Sequence, residues 1–404
     1  MSRLASLSAN AAAAVVGVLV GALLVLGADS LTKEPERTEK VVRPSPVQIE
    51  TLPPERDISA TGKVLLAWAP GSLPARSERT LERVRGVQEA TTVISGLDWV
   101  RSTFGPDGAP IDRPQGGNLI PFEVAVVEPR EYARFVPPAE RATLLALRRG
   151  DVALSRTSGD LRRAGQGSRI QLVDRSVMVS GEVTDETANG YEALMRGPVP
   201  TSWERADRFV LVRLKRPEAR HEVERVIRSL LVPGQVARVR SQGETPFLRY
   251  GDAVLPQIML KKAFGEFSAR PLPGGTLAMD PRWVKRNIVT VSVPVIGEVR
   301  CHRTLIPQLR AALKDVVASG LSHTLDPAHY GGCYSPRFIG HNPSGRLSHH
   351  SWGVAIDVNV AENMFGTRPD QDRRLVEIME EWGFTWGGRW LIPDGMHFEW
   401  VRFP

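Results

Sequence analysis

Two short segments near the C-terminal end constrain this chain most. From Gly353 to Val360 the residues alternate, with Val354, Ile356, Val358 and Val360 on one side and Ala355, Asp357 and Asn359 on the other. A period of two marks a half-buried strand, so the pattern predicts apolar residues entering a core and Asp357 facing away from it. Ala355 leaves space beside that carboxylate. His350 lies seven residues before Asp357, in the approach to the strand. The second segment, Asp394-Gly-Met-His397-Phe-Glu-Trp, predicts a strand with His397, Glu399 and Val401 on one face. Phe398, Trp400 and Arg402 take the other face, and Asp394 sits at the turn into the strand.

Brought together, these segments offer His350, Asp357 and His397 as three ligands for one cation. Asp394 is left as a free carboxylate over its open side. Three protein ligands with an open fourth position suit a catalytic zinc, and two imidazoles with one carboxylate suit that metal well. The spare carboxylate suits a general base that later returns its proton to a leaving amine.

Ser348-x-His350-x-x-Gly353-x-Ala355-x-Asp357 resembles the S-x-H-x-x-G-x-A-x-D signature of the zinc D-alanyl-D-alanine carboxypeptidase/dipeptidase group. That group includes vancomycin-resistance-type D,D-peptidases and phage L-alanyl-D-glutamate endolysins. Gly383-Phe384-x-Trp386-Gly387-Gly388-x-Trp390, followed by Asp394-x-x-His397-Phe398-Glu399, is similar to its second signature. The resemblance covers about residues 300–404, a quarter of the chain. It implies a small antiparallel sheet with helices, with zinc held by His350, Asp357 and His397. It further implies Asp394 as catalytic base and Arg337 as the cation that steadies the developing oxyanion. Ser348, Trp352 and Trp390 are implied as substrate-binding residues. The substrates implied are peptidoglycan stem peptides, with D-alanyl-D-alanine carboxypeptidase the first expectation. The carboxypeptidases usually carry Glu where this chain has Asp394, and Asp is more typical of the endolysins, so the scissile bond stays open. The sonic hedgehog signalling domain resembles this fold and holds zinc without being known mainly as a peptidase, so a non-catalytic, zinc-stabilised scaffold is the second reading.

The remaining side chains of this region have plainer readings. His349 is expected not to be a ligand, because motif and strand phase both select His350. His302, His323, His329 and His341 are expected at the surface or in loops. Leu305–Val317 predicts a helix with Leu309, Leu313, Val316 and Val317 as its stripe. Residues 369–382 predict another, with Pro369 in its first turn, Leu375, Ile378, Met379 and Trp382 buried, and Gly383 ending it. Cys301 and Cys333, the chain's two cysteines, flank the first helix. In an oxidising compartment they are expected to pair, with metal ligation as the alternative.

That compartment is inferred from the other end of the chain. Residues 11–28 form an uncharged, mostly apolar run of 18 residues, just long enough to cross a bilayer as a helix. It reads as a transmembrane signal anchor within residues 1–32, or as a cleaved signal peptide; either places the rest of the chain outside the cytoplasm. Residues 33–59, rich in proline and charge, read as a linker. Residues 60–298 read as a mixed α/β extracytoplasmic region of unassigned role, followed by the peptidase-like domain at 299–404. Strands are expected at 64–68, 208–214 and 287–295, and a helix over Glu218–Leu231. Part of this region, from Leu147 to Thr187, is weakly similar to the extracytoplasmic core domain of ABC-type permeases.

The chain carries 52 basic and 45 acidic residues, a net charge of +7. The excess sits before residue 301, at 42 basic against 34 acidic, while residues 301–404 hold 10 against 11. Histidine is skewed oppositely: of 8, only His221 precedes residue 301. Basic charge and metal chemistry therefore occupy different parts of the chain. On an exported protein the basic excess points to anionic lipid or wall polymer and away from nucleic acid. The fold class expected for the whole is α+β.

Overall fold

The structure is a computed structural model that describes residues 63–403, apart from 204, 205 and 254. The expected anchor and linker lie outside the described residues. Among the described residues no helix is long and apolar enough to cross a membrane.

Runs rich in valine, isoleucine and leucine build one ten-stranded sheet. Its strands are β1 (Val64–Trp68), β2 (Val87–Phe104), β3 (Pro110–Asp112), β4 (Ile120–Val126) and β5 (Val152–Ser155). β6 (Arg169–Leu172), β7 (Ser176–Val183), β8 (Ala193–Met195), β9 (Asp207–Leu214) and β10 (Arg238–Ser241) complete it. The order is β10-β1-β9-β2-β4-β8-β5-β7-β6, with β3 beside β2. β2 is 18 residues long and also pairs with β6, so the pairings run from β2 round to β2 again. Most pairs are antiparallel; β4–β8 and β5–β7 are parallel. The strands expected at 64–68 and 208–214 are β1 and β9. The helix expected over 218–231 is a short turn, Pro217–Ala219, continued by Arg220–Leu230. Val223, Ile227 and Leu230 are its buried stripe, packed with Leu81 and Val212.

The C-terminal part is drawn from smaller pieces. β11 (Ala269–Leu272) pairs with β12 (Thr276–Met279), and β13 (Ile288–Val293) with β14 (Gly297–His302). β15 (Ala355–Asp357), β16 (Phe384–Trp386) and β17 (His397–Trp400) form an antiparallel sheet in the order β15-β17-β16. One hydrophobic cluster lies beneath these pieces, and its residues come from as far back as Phe247 and as far on as Val401. The architecture is α+β.

Three local expectations need correcting. The strand over 354–360 shrinks to β15, because Asn359 turns left-handed (φ 51°) and spends its amide on Thr324 O and Gln371 Oε1. Its polar side is buried as well: Ala355 is 0% and Asp357 8% exposed. The second helix runs only over Arg373–Glu381, because the Asp372 side chain accepts the Arg374 N–H and fixes the start there, leaving Pro369 outside. The first helix spans Ile306–Ala318 with Leu309, Leu313 and Val316 buried, but Val317 falls off the stripe and is 47% exposed.

Cys301 and Cys333 form a disulfide, with Cα atoms 5.4 Å apart, so neither is a metal ligand. Closing a loop of 32 residues stabilises the fold by about 3–4 kcal/mol in the chain-entropy model.

Candidate metal centre

Strand register sets up the site. β15 and β17 pair so that Asp357 stands opposite His397 and Ala355 opposite Glu399. Opposed residues of an antiparallel pair share a face, so the small Ala355 leaves room over Glu399 while Asp357 and His397 meet. The His397 Nδ1 lies 2.8 Å from Asp357 Oδ1. His350 arrives from the turn His349–Ser351, whose start is capped by the Ser348 hydroxyl accepting the His350 N–H. Its Nε2 lies 3.2 Å from His397 Nδ1, 3.2 Å from Asp357 Oδ1 and 3.1 Å from Asp357 Oδ2.

The three side chains expected as ligands therefore converge, with one ligand atom from each lying within 4.8 Å of the others. A tetrahedral zinc with bonds of about 2.0–2.1 Å holds its ligand atoms roughly 3.3 Å apart, close to the spacings here. Charge supports the fit. With neutral imidazoles, Asp357, Glu399 and Asp394 oppose a single guanidinium, Arg337, whose Nη2 lies 3.8 Å from Asp357 Oδ2. A divalent cation would balance that excess.

Each imidazole has its other nitrogen committed. His350 Nδ1 lies 2.8 Å from the Cys333 carbonyl, which the disulfide fixes in place. His397 Nε2 lies 3.2 Å from Glu399 Oε1, and the same oxygen is 3.0 Å from His349 Nδ1. Such partners orient a ligand histidine and select its tautomer. Glu399, 3% exposed, was legible only as a face-mate of His397; its shared role needs the buried His349 beside it.

The electrostatics follow from burial and these partners. Burial would raise the Asp357 carboxyl, but His350 and His397 outweigh it and hold it well below the usual range. Burial pushes His350 down against the pull of Asp357. Burial opposes the charge on His397 too, yet hydrogen bonds and charges from Asp357 and Glu399 raise it to about 10. For Asp394 burial wins: with Asp357 and Glu399 adding to it, it outweighs the opposing charges of His397 and Arg337 and pushes the carboxyl up to about 6, and its buried Oδ1 has no hydrogen-bond partner. The Tyr330 hydroxyl is likewise buried without a partner, and burial with the charge of Asp357 lifts it to about 12. Nothing in the sequence pattern marked that tyrosine.

Backbone shape brings Asp394 to His397. A Cβ at Gly387 would stand 2.7 Å from the Asp394 carbonyl oxygen and 3.4 Å from the His397 Cβ, so only glycine fits between them. The Asp394 N–H donates to Gly387 O at 3.0 Å. Trp390 packs on His397 with ring centroids 5.2 Å apart, and its buried indole N–H has no partner. Residues 342–400 match the D-alanyl-D-alanine carboxypeptidase family model. The C-terminal part is thus similar to a peptidase family in the segment that carries all three expected ligands. No curated protein matches the chain. The crystal structure of the periplasmic region of MacB from Actinobacillus actinomycetemcomitans aligns with 47% of this chain and 93% of its own, at 10% identity and a TM-score of 0.32. A score that low carries no argument about fold.

The other expected site residues divide. Arg337 lies at the site, with Nη1 donating to Ser335 O. Ser348 serves the turn and is 7% exposed. Trp352 is fully buried and donates to Gly265 O, so it belongs to the core and not to a substrate wall. His323 and His341 are exposed as expected, and His329 is half-buried against Glu362. His302 is not at the surface: it is 3% exposed, and burial pushes it down to about 4.

Proposed function

We propose that this chain is a zinc-dependent peptidase of peptidoglycan stem peptides, acting outside the cytoplasm, with D-alanyl-D-alanine carboxypeptidase as its reaction. The observation that carries the reading is the convergence of His350, Asp357 and His397 beside Asp394, whose buried Oδ1 is unpartnered and whose carboxyl burial raises. His350, Asp357 and His397 would hold the ion, which when bound supplies Lewis-acid activation of water and of the scissile carbonyl. Asp394, raised to about 6, is ionised at neutral pH yet basic enough to take a proton from the attacking water. It then returns that proton to the departing amine. Arg337 stabilises negative charge developing on the carbonyl oxygen. Trp390, packed on His397, is placed to meet the peptide beside the ion. The Asp at position 394 favours a second reading, cleavage of an L-alanyl-D-glutamate bond.

Digestion of purified muropeptides by the zinc-loaded full-length chain, read by product mass, tests the reading and assigns the bond. Loss of one D-alanine from pentapeptide stems is the expected product. Absence of product from every stem peptide, with Asp394→Ala indistinguishable from wild type, would remove the enzymatic reading.

A further inference from the structure

The segment between β10 and the helix Gln257–Phe264 lies outside the residues that match the family model, yet it grips the loop beside the site. Asp252, with a side chain 7% exposed, accepts the backbone N–H of Leu391 at 2.7 Å through Oδ2. Its other oxygen, Oδ1, pairs at 2.5 Å with Arg238 of β10, and that guanidinium also donates to Arg389 O at 3.2 Å. The Leu391 side chain packs against the cluster of the large sheet that contains Trp68, Phe209 and Tyr250. Between these two anchored residues stands Trp390, which packs on His397. The same loop begins at Gly387, which receives the Asp394 N–H.

A second hold acts on the other motif. Arg346, two residues before Ser348, pairs with Asp207 of β9 at 3.3 Å and donates to Tyr250 O at 3.2 Å. Gly251 makes room for it: at φ 89°, an added Cβ would stand 2.6 Å from the guanidinium.

We propose that the segment from Arg238 to Asp252 is a positioning element of the C-terminal site, holding the Arg389–Leu391 loop so that Trp390 and Asp394 keep their places beside His397. This gives the large sheet a task in the reaction, and its catalytic arm rests on the peptidase reading above. A backbone N–H held by a buried carboxylate is a strong, directional restraint, because a charged acceptor shortens and strengthens the bond. The Trp390 backbone N–H donates to Gly387 O at 3.0 Å, but its indole N–H is unpartnered, so no side-chain hydrogen bond fixes the ring. Asp252 touches neither ligands nor substrate space, so its influence passes through the loop.

Amide hydrogen exchange on the full-length chain reads the hold directly and needs no substrate. Asp252→Ala is expected to speed exchange across residues 387–395 at least tenfold while the helix Ile306–Ala318 stays within twofold of wild type. Asp252→Asn, which can still accept the Leu391 N–H, is expected to restore most of the protection. With stem peptide, Asp252→Ala should lower kcat about tenfold and leave KM within twofold. Unchanged exchange at 387–395, or an equal loss of protection throughout the chain, overturns the proposal. If Asp252→Ala does not fold, Arg238→Ala carries the same test: exchange at 387–395 rises at least threefold, or the proposal falls. Absence of turnover in wild type would count against the peptidase reading alone, since the exchange result stands without it.

Discussion

Lys261 and Arg162 meet Glu192 and Glu266 inside the protein; Asp357, Asp394 and Glu399 meet three imidazoles and Arg337 at the C-terminal site. In the first group, Lys261 Nζ is 2.8 Å from Glu192 and 2.9 Å from Glu266, and Arg162 is 3.1 and 2.9 Å from the same two carboxylates. Both carboxylates meet a cation at hydrogen-bond distance, and a third, the partly exposed Asp112, stands 4.0 Å from Arg162 at the edge of the cluster. In the second group, once the imidazoles are neutral as metal ligation requires, three carboxylates face one guanidinium, and Asp394 Oδ1, Glu399 Oε2 and the Tyr330 hydroxyl are buried without partners. Both groups are buried, so burial of charge does not by itself mark chemistry. Unpartnered atoms occur in both, Arg162 Nε and Nη1 among them. A cluster whose carboxylates each meet a cation joins structural elements; one that leaves the Asp394 carboxylate without one has a place for a ligand.

Substitutions should separate the two. Asp394→Asn is expected to lower kcat by about 100- to 10,000-fold, the usual worth of a general base, with thermal stability unchanged or improved. A loss of stability in place of activity would put Asp394 among the structural residues. Lys261→Ala should do the reverse: breaking one member of a buried charge cluster costs about 3–5 kcal/mol in denaturant unfolding, while the folded fraction keeps its turnover. Glu399→Ala should weaken zinc binding about 10- to 100-fold in a chelator competition, because His397 loses the partner that orients it. An unchanged affinity would make Glu399 a packing residue. The smallest effect concerns His302. Its folded-state value, about 4, lies below the ordinary 6.5, so its contribution is present at neutral pH and is lost as pH falls through that window. Between neutrality and about pH 5.5 this amounts to about 1 kcal/mol of lost stability, absent in His302→Gln.

Much of the site was legible in the sequence, because strand alternation fixes which residues share a face. Asp357 and His397 meet through a register that the alternation implies, and the Ser348-to-Asp357 spacing places His350 within reach. The roles that escaped depend on contacts across the fold. Trp352 reads the same as Trp390 in a motif, yet one is core and the other packs on His397. His302 looks like a loop histidine until β14 carries it under Phe264, with ring centroids 5.1 Å apart. Asp252 and Arg238 gave no local sign at all, since their partners Leu391 and Arg389 are about 140–150 residues away. Boundaries also escaped where a side chain overrode periodicity, as Asp372 and Asn359 do. Anionic lipid or wall polymer is our proposal for the partner of the basic excess before residue 301.

The central claim is that the C-terminal cluster binds a metal and uses it. The direct test is to strip the full-length chain with a chelator and follow D-alanine release from a pentapeptide stem as zinc is returned. The account predicts background activity after chelation and full recovery as about one equivalent per chain is bound. Asp394→Asn should bind the same equivalent without turnover. Undiminished activity in the stripped protein, or zinc binding that survives Asp357→Ala unweakened, would contradict it.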